Sequence, residues 1–338
     1  MISRKELQDT TKQIFLKHGV TEPAAEAIAD ILVHANLRGV DSHGVLRVEH
    51  YIKRIQSGSI NPAAQLQVTK TSPSTSILDG DNGFGHYISK AAMDIAIEQA
   101  QEAGTGAVAV KNSSHCGALS YFVEQAAKHN LIGVAMTHTD KIVVPFGGSE
   151  PFFGTNPIAF GFPANKEEPI ILDFATSTVA LGKILNAKEK GENIPHGWGV
   201  DENGEATHDP NKVVALSPFG GPKGYGLAMV VEIFTAMLTG AAFGPHVSKM
   251  YGDYDKNREL GHFFMAIDPA KFVSIDTFTF RLDQMIQELR ETTPSPNTNR
   301  VYIPGEIEAL NAKKREKEGI PLPDSILKFL QKEIEEVN

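Results

Sequence analysis

Residues 104–136 read GTGAVAVKNSSHCGALSYFVEQAAKHNLIGVAM. The apolar run Ala107–Val110 follows a Gly-Thr-Gly turn and has the texture of a buried strand. A helical pattern occupies Ala118 to His129, and a second strand pattern occupies Ile132 to Met136. Strand, helix and strand in succession predict an α/β or α+β layer. Between the first strand and the helix lies the polar break Ser113-Ser114-His115-Cys116-Gly117. Such a turn exposes side chains while rigid elements hold them. A neutral imidazole at His115 can take the proton of a hydroxyl whose carbon loses a hydride. A Ser-His or Cys-His nucleophile is the rival reading. Neighbours in sequence rarely point at each other, however, and Cys116 also reads as a small buried filler.

Outward from this unit the pattern changes on both sides. Ser3 and Glu6 form a capping-box pair, Leu7, Ile14 and Phe15 follow at helical spacing, and Gly19 marks a stop. A second helix starts at Thr21 and ends at Gly39, and a third is predicted from about Val45 to Ile55. Ile77-Leu78 reads as a short strand and Ala91 to Ala103 as a helix, with further strand-like segments at Phe152 to Phe162 and Ile170 to Leu172. Lys188 to Gly204 reads as a polar surface excursion. Gly224 to Leu238 is apolar all round, which predicts a helix buried in the core. Ser274 to Arg290 is an amphipathic helix, Thr292 to Pro304 a loop, and two charged helices follow. The expected organisation is a helical domain made from residues 1–70 with about 291–338, and an α/β domain over 71–290.

Composition excludes several classes. The 338 residues carry 41 acidic against 32 basic side chains, a formal charge of −9 that does not suit a nucleic-acid grip or an anionic membrane. One cysteine, Cys116, excludes an internal disulfide and a thiolate-rich zinc site. No His-Glu-x-x-His pair or other metal-ligand spacing appears, and no phosphate-binding P-loop. Gly80-Asp-Asn-Gly83-Phe-Gly85 lacks the order of a dinucleotide fingerprint, which argues against a standard Rossmann site. No signal-type or membrane-spanning apolar segment is read, so the cytoplasm is the expected compartment.

Three further polar clusters interrupt apolar surroundings. Asp41-Ser42-His43-Gly44 precedes Arg47 and Tyr51. If a helix begins near Ser42, His43 and Arg47 share a face, and the guanidinium can hold a carboxylate with two parallel hydrogen bonds. A turn with a helix cap explains the same residues, and spacing leaves both readings open. Pro145-Phe-Gly-Gly148 and Gly154-Thr155-Asn156-Pro157 allow close backbone approach to a flat ligand, or are plain turns. Gly220-Gly221-Pro222-Lys223-Gly224-Tyr225-Gly226 opens the apolar helix, where free N–H groups beside a lysine favour an anion.

In this order the four clusters resemble the malate/L-lactate dehydrogenase-like family of NAD(P)-dependent oxidoreductases, which is distinct from the Rossmann-type lactate and malate dehydrogenases. The shared text is Asp41-Ser-His-Gly44, Ser114-His115-x-Gly117, Pro145-Phe-Gly-Gly148, Gly154-Thr-Asn-Pro157, Asp173-x-Ala175-Thr176, Gly221-Pro-Lys-Gly224 and Tyr302-Ile-Pro-Gly305. The segment from Phe243 to Tyr251 and Asp253, continuing through Asn257-Arg258 to Leu260-Gly261, is similar to the ureidoglycolate dehydrogenase branch. The resemblance implies a non-Rossmann mixed-sheet cofactor domain beside a helical domain, assembled as a homodimer. It implies oxidation of (S)-ureidoglycolate to oxalurate in allantoin degradation. Malate, L-lactate, sulfolactate and diketogulonate chemistry are the alternatives within the family. By the same likeness His115 is the acid/base, His43, Arg47 and Tyr51 bind substrate, and Thr139, Asp173, Phe174, Ala175, Lys223, Pro304, Gly305 and Glu306 contact the cofactor. That cofactor is NAD, with NADP left open.

Overall fold

The computed structural model describes residues 1–335. In chain order its helices and strands begin with α1 (Arg4–Lys17), α2 (Glu22–Leu37), α3 (Val48–Gln56), β1 (Gln67–Ser72), β2 (Thr75–Asp79), α4 (Gly85–Ala103) and β3 (Thr105–Ser113). They continue with α5 (Ser120–Lys128), β4 (Ile132–Thr137), β5 (Ile158–Phe162), β6 (Ile170–Phe174), α6 (Leu181–Lys190), β7 (Gly199–Val200) and β8 (Ala215–Leu216). The last are α7 (Pro222–Glu232), β9 (Leu260–Ile267), α8 (Ile275–Glu291), α9 (Glu306–Glu318) and α10 (Asp324–Glu335).

Seven strands form one mixed sheet in the order β1-β2-β3-β9-β4-β5-β6. Only β2 and β3 run parallel, joined through α4, and the other neighbours are antiparallel. This is not the parallel doubly wound sheet of a Rossmann domain. Of this sheet the sequence reading lacks β1 at one edge and β9, which lies at the centre between β3 and β4. Its sequence, Leu260-Gly-His-Phe-Phe-Met-Ala-Ile267, is nearly continuously apolar because both faces are covered. Phe264 on β9 meets Phe122 of α5 edge-on at 5.3 Å, tying helix to sheet.

The close seat of α5 has a local cause. Gly133 on β4 and Gly161 on β5 lie under it, and a Cβ at Gly161 would sit 2.3 Å from the Val123 carbonyl oxygen. Bare backbone there lets the helix approach the sheet and delivers its first residue, Ser120, to the end of β6. A second core joins α1, α2 and α3 to the far end of the chain, with Leu7, Ile14 and Leu32 in one buried cluster with Ile320 and Leu330. The Ser3 cap is present, its hydroxyl accepting from the Glu6 amide at 3.2 Å.

Several expectations are corrected. The helix read over Ala91–Ala103 begins earlier, at Gly85. Phe152–Phe162 is a strand only from Ile158, because Asn156 takes a positive φ of 35° and turns the chain just before it. The polar excursion at 188–204 is entered through a helix, α6. The apolar helix α7 is not all core: Met229 and Val230, then Ile233 and Met237 in the π-turn that extends it, and Leu238 just after, are exposed.

Candidate active site

β3 ends at Ser113, and the turn after it presents His115 beside the helices at the N-terminal end of the chain. Two contacts fix that turn. The Ser114 hydroxyl donates to the Gly83 carbonyl at 2.9 Å and accepts from the Gly85 amide at 2.9 Å. A Cβ at Gly85 would fall 2.1 Å from the Ser114 carbonyl oxygen, so only glycine permits this approach. The Gly80–Gly85 turn therefore braces the histidine loop.

The His115 ring is half-buried. Its Nδ1 lies 2.7 Å from the Tyr51 hydroxyl, which stands 3.4 Å from His86 Nε2. When His115 donates from Nδ1 to Tyr51 and Tyr51 donates to His86, Nε2 of His115 keeps a lone pair and can act as a base. The Gly117 amide also points at Nδ1, at 3.3 Å. Acceptance there favours the other tautomer, whose proton sits on Nε2 and leaves no lone pair there to act as a base. Nε2 has no protein partner among the described residues. Burial, then the charge of Arg47, holds the His115 pKa well below its ordinary value, so the ring is neutral near pH 7.

His43 and Arg47 reach this site, but not by the expected helix face. Asp41–His43 and Val45–Arg47 form two separate 3-10 turns, and α3 starts only at Val48. The Asn36 side chain causes the break: its Oδ1 accepts from the Val45 amide at 2.9 Å and its Nδ2 donates to Asp41 at 2.7 Å. The His43 ring is nevertheless 5.7 Å from that of His115. Burial, then Arg47, lowers the His43 pKa to about 4. Arg47 donates from Nε to the Ser42 carbonyl at 2.8 Å and from Nη1 to the Tyr251 hydroxyl. It has no carboxylate partner among the described residues, which leaves its charge available to an anion. An open pocket of about 410 Å³ adjoins Arg47 and Tyr251, and His115 does not line it.

The residues assigned to the cofactor gather along β6 and its continuation. Asp173 accepts from the Ser120 amide at 2.7 Å at the start of α5. Asp173 is exposed to solvent, and the protein packed around the other side of its carboxyl raises it to about 6. Phe174 packs edge-on against Phe219 at 5.7 Å, and Ala175 leads to Thr176, whose amide bonds the Thr155 carbonyl at 2.8 Å. Thr139 accepts from the Thr155 amide at 3.1 Å. The Gly224 amide bonds the Phe219 carbonyl at 3.0 Å, which places exposed Lys223 near the same strip, with no partner among the described residues. The Pro304 carbonyl accepts from the Ile171 amide at 3.2 Å, and Gly305 packs on Ile171. Glu306 is committed inside the protein, to Arg290, Arg300 and the Ile303 amide.

Four residues at this end of the sheet escaped the sequence reading: His86, Asp140, Tyr251 and Arg258. Tyr251 and Arg258 lie in a segment quoted only for its likeness. The usable signal was a charged residue next to an unbroken apolar strand. Ser114 is bound to backbone on both sides, and burial pushes the Cys116 thiol up to about 12, so neither resembles an activated nucleophile. Among the described residues no cluster of three or more His, Cys, Asp or Glu could hold a metal, and no helix is long and apolar enough to cross a membrane.

The mixed sheet thus presents a neutral histidine, an arginine without a carboxylate partner among the described residues and a long strip of backbone at one end. The chain belongs to the malate/L-lactate dehydrogenase family, whose model matches residues 2–331. It is 40% identical to the NAD(+) ureidoglycolate dehydrogenase of Escherichia coli O157:H7 over 329 residues, covering 97% of this chain and 94% of that one. It is 39% identical to a malate dehydrogenase of Pyrococcus abyssi, covering 96% and 92% of the two chains. The solved sulfolactate dehydrogenase of Methanocaldococcus jannaschii superposes with a TM-score of 0.94 at 37% identity, covering 99% of this chain and 96% of that one.

Proposed function

We propose that this chain oxidises (S)-ureidoglycolate to oxalurate by hydride transfer to NAD, a step of allantoin degradation in the cytoplasm. The observation that carries the reaction class is His115, with Nδ1 engaged by Tyr51 and Nε2 free, beside an Arg47 that lacks a carboxylate. Arg47 takes the substrate carboxylate, and Tyr51 and His43 stand against the His115 ring. His115 removes the hydroxyl proton through Nε2 while Tyr51 and His86 hold the required tautomer.

The strip along β6 suits a dinucleotide by its donor set. Lys223 is an uncommitted ammonium in the first turn of α7, suited to a phosphate. Asp173 and Thr139 offer oxygens to hydroxyl and amide groups, and Phe174, Ala175, Pro304 and Gly305 supply apolar or backbone surface. Glu306 acts by holding the Pro304–Gly305 turn through its arginines rather than by direct contact. Bound NAD supplies the hydride acceptor.

The 40% identity to ureidoglycolate dehydrogenase supports the substrate, and malate and sulfolactate relatives at 39% supply the second reading. We further propose a helical domain of residues 1–70 with about 291–338 and an α/β domain of 71–290. A homodimer would cover the exposed apolar face of α7 and its π-turn, which sedimentation velocity tests. The decisive assay follows absorbance at 340 nm with NAD or NADP against ureidoglycolate, malate, lactate and sulfolactate. Turnover of ureidoglycolate with NAD is the expected result. Preference for another acid moves the assignment within the family, and no turnover with any acid defeats it.

A further inference from the structure

Arg258 is 3% exposed, yet two of its guanidinium nitrogens, Nε and Nη1, have no hydrogen-bond partner. Buried donors are rarely left open in a native protein, and one that is left open marks a place for an acceptor. The third nitrogen, Nη2, donates to Asp140 Oδ1 at 2.7 Å.

The sheet register sets where this group stands. Ser113 of β3 pairs with Leu260 of β9, and His115 lies two residues beyond the first and Arg258 two residues before the second, so both leave the sheet at the same end. On the other side of β9, Thr137 of β4 pairs with His262, so Asp140 follows β4 toward the same end. Three central strands thus bring the histidine, the arginine and the aspartate to one edge. The charge of Arg258 is felt at both His115 and Tyr51.

Asp140 changes what the arginine can bind. Its negative charge cancels that of the guanidinium at hydrogen-bonding distance, whereas Arg47 keeps its charge for the substrate carboxylate. A second anion beside Arg258 would bring an uncompensated buried charge, but a neutral carbonyl would accept two N–H bonds without one. Asp140 Oδ2, without a partner among the described residues, can accept from an amide NH₂. We infer that the free nitrogens of Arg258 hold a neutral carbonyl oxygen on the group attached to the substrate's hydroxyl-bearing carbon, as a ureido group supplies, and that Asp140 turns the site against a second anionic group. This rests on the dehydrogenase reading above and narrows its substrate class to acids with a neutral amide-like arm.

The test measures kcat/KM with NAD for ureidoglycolate, malamate (the 4-amide of malate), malate and lactate. Malamate and malate differ in the charge of the arm, and lactate has only a methyl group. Arg258→Met is expected to lose roughly 10- to 100-fold on ureidoglycolate and malamate and less than about threefold on lactate. Asp140→Asn is expected to raise malate relative to malamate roughly tenfold. Calorimetric titration into the NAD-loaded protein, where no hydride is available to reduce a keto acid, should show Arg258→Met weakening oxalurate by a similar factor and leaving pyruvate unchanged. Equal losses on all four acids would overturn the inference. If Arg258→Met does not fold, Asp140→Asn decides, and an unchanged malate-to-malamate ratio overturns it. A wild type inactive on all four acids removes the dehydrogenase reading and this inference with it.

Discussion

Arg54 and Arg258 are 1% and 3% exposed and lie close enough that each charge acts on the other. Arg54 is filled at every nitrogen. Nε meets His50 at 3.3 Å, Nη1 reaches Ser59 and the carbonyls of Asp253 and Lys256, and Nη2 reaches the carbonyls of Lys249 and Met250 at 2.8 Å each. Its task is complete within the protein: it pins the 249–256 loop, which carries Tyr251 against Arg47. Arg258 is filled at one nitrogen only, and its charge reaches His115. Two guanidinium groups of similar burial thus separate into a rim that is structural and a floor that waits for a ligand.

The largest expected effect tests the floor. His115→Ala should lower kcat/KM by about 10²–10⁴ with NADH affinity little changed, as measured by steady-state kinetics and fluorescence titration. Turnover unchanged at every pH would remove the chemistry from that end of the sheet. Next comes the rim. Arg54→Met leaves four backbone carbonyls without their donor and is expected to cost about 3–5 kcal/mol in urea unfolding. Arg258→Met strands only the half-buried Asp140 and should cost half as much or less. Equal losses would erase the distinction between the two arginines.

The smallest effect is a pH dependence at the rim. Burial, then the charge of Arg54, lowers the His50 pKa to about 3, and the neutral ring accepts from Arg54. In the unfolded chain His50 returns to about 6.5 and takes up a proton first. Its contribution is therefore intact above pH 6.5 and is lost as pH falls from there toward the folded value. His50→Gln, which keeps an acceptor but does not titrate, should flatten the loss of stability between pH 6.5 and 4. An unchanged slope would show that His50 carries none of it.

Much of this architecture was legible because local chemistry and tertiary packing agree. Ala107–Val110 is apolar on both faces and became an interior strand, and Ser3 with Glu6 marked a helix start that the backbone adopts. The family likeness was readable from short polar clusters in fixed order. Two things were hidden. His43 and Arg47 arrive through 3-10 turns shaped by Asn36, a side chain nine residues before the amide it binds, and no local spacing encodes that contact. The apolar surface of α7 looked like core because a sequence records hydrophobicity and not what covers it. Leu260-Gly261, the start of β9, and the arginine before it were quoted for their wording. Their value comes from register, which brings Arg258 to the same end of the sheet as His115 only once the strands are aligned.

The contact of Gly85 with the Ser114–His115 backbone carries a last consequence. The base is seated by glycine backbone packed against its own main chain and clasped by the Ser114 hydroxyl. The groups that choose the acid, by contrast, arrive on separate turns and on a loop held by one arginine. A lineage can therefore exchange its preferred metabolite by editing that loop, while the proton-moving centre is inherited intact.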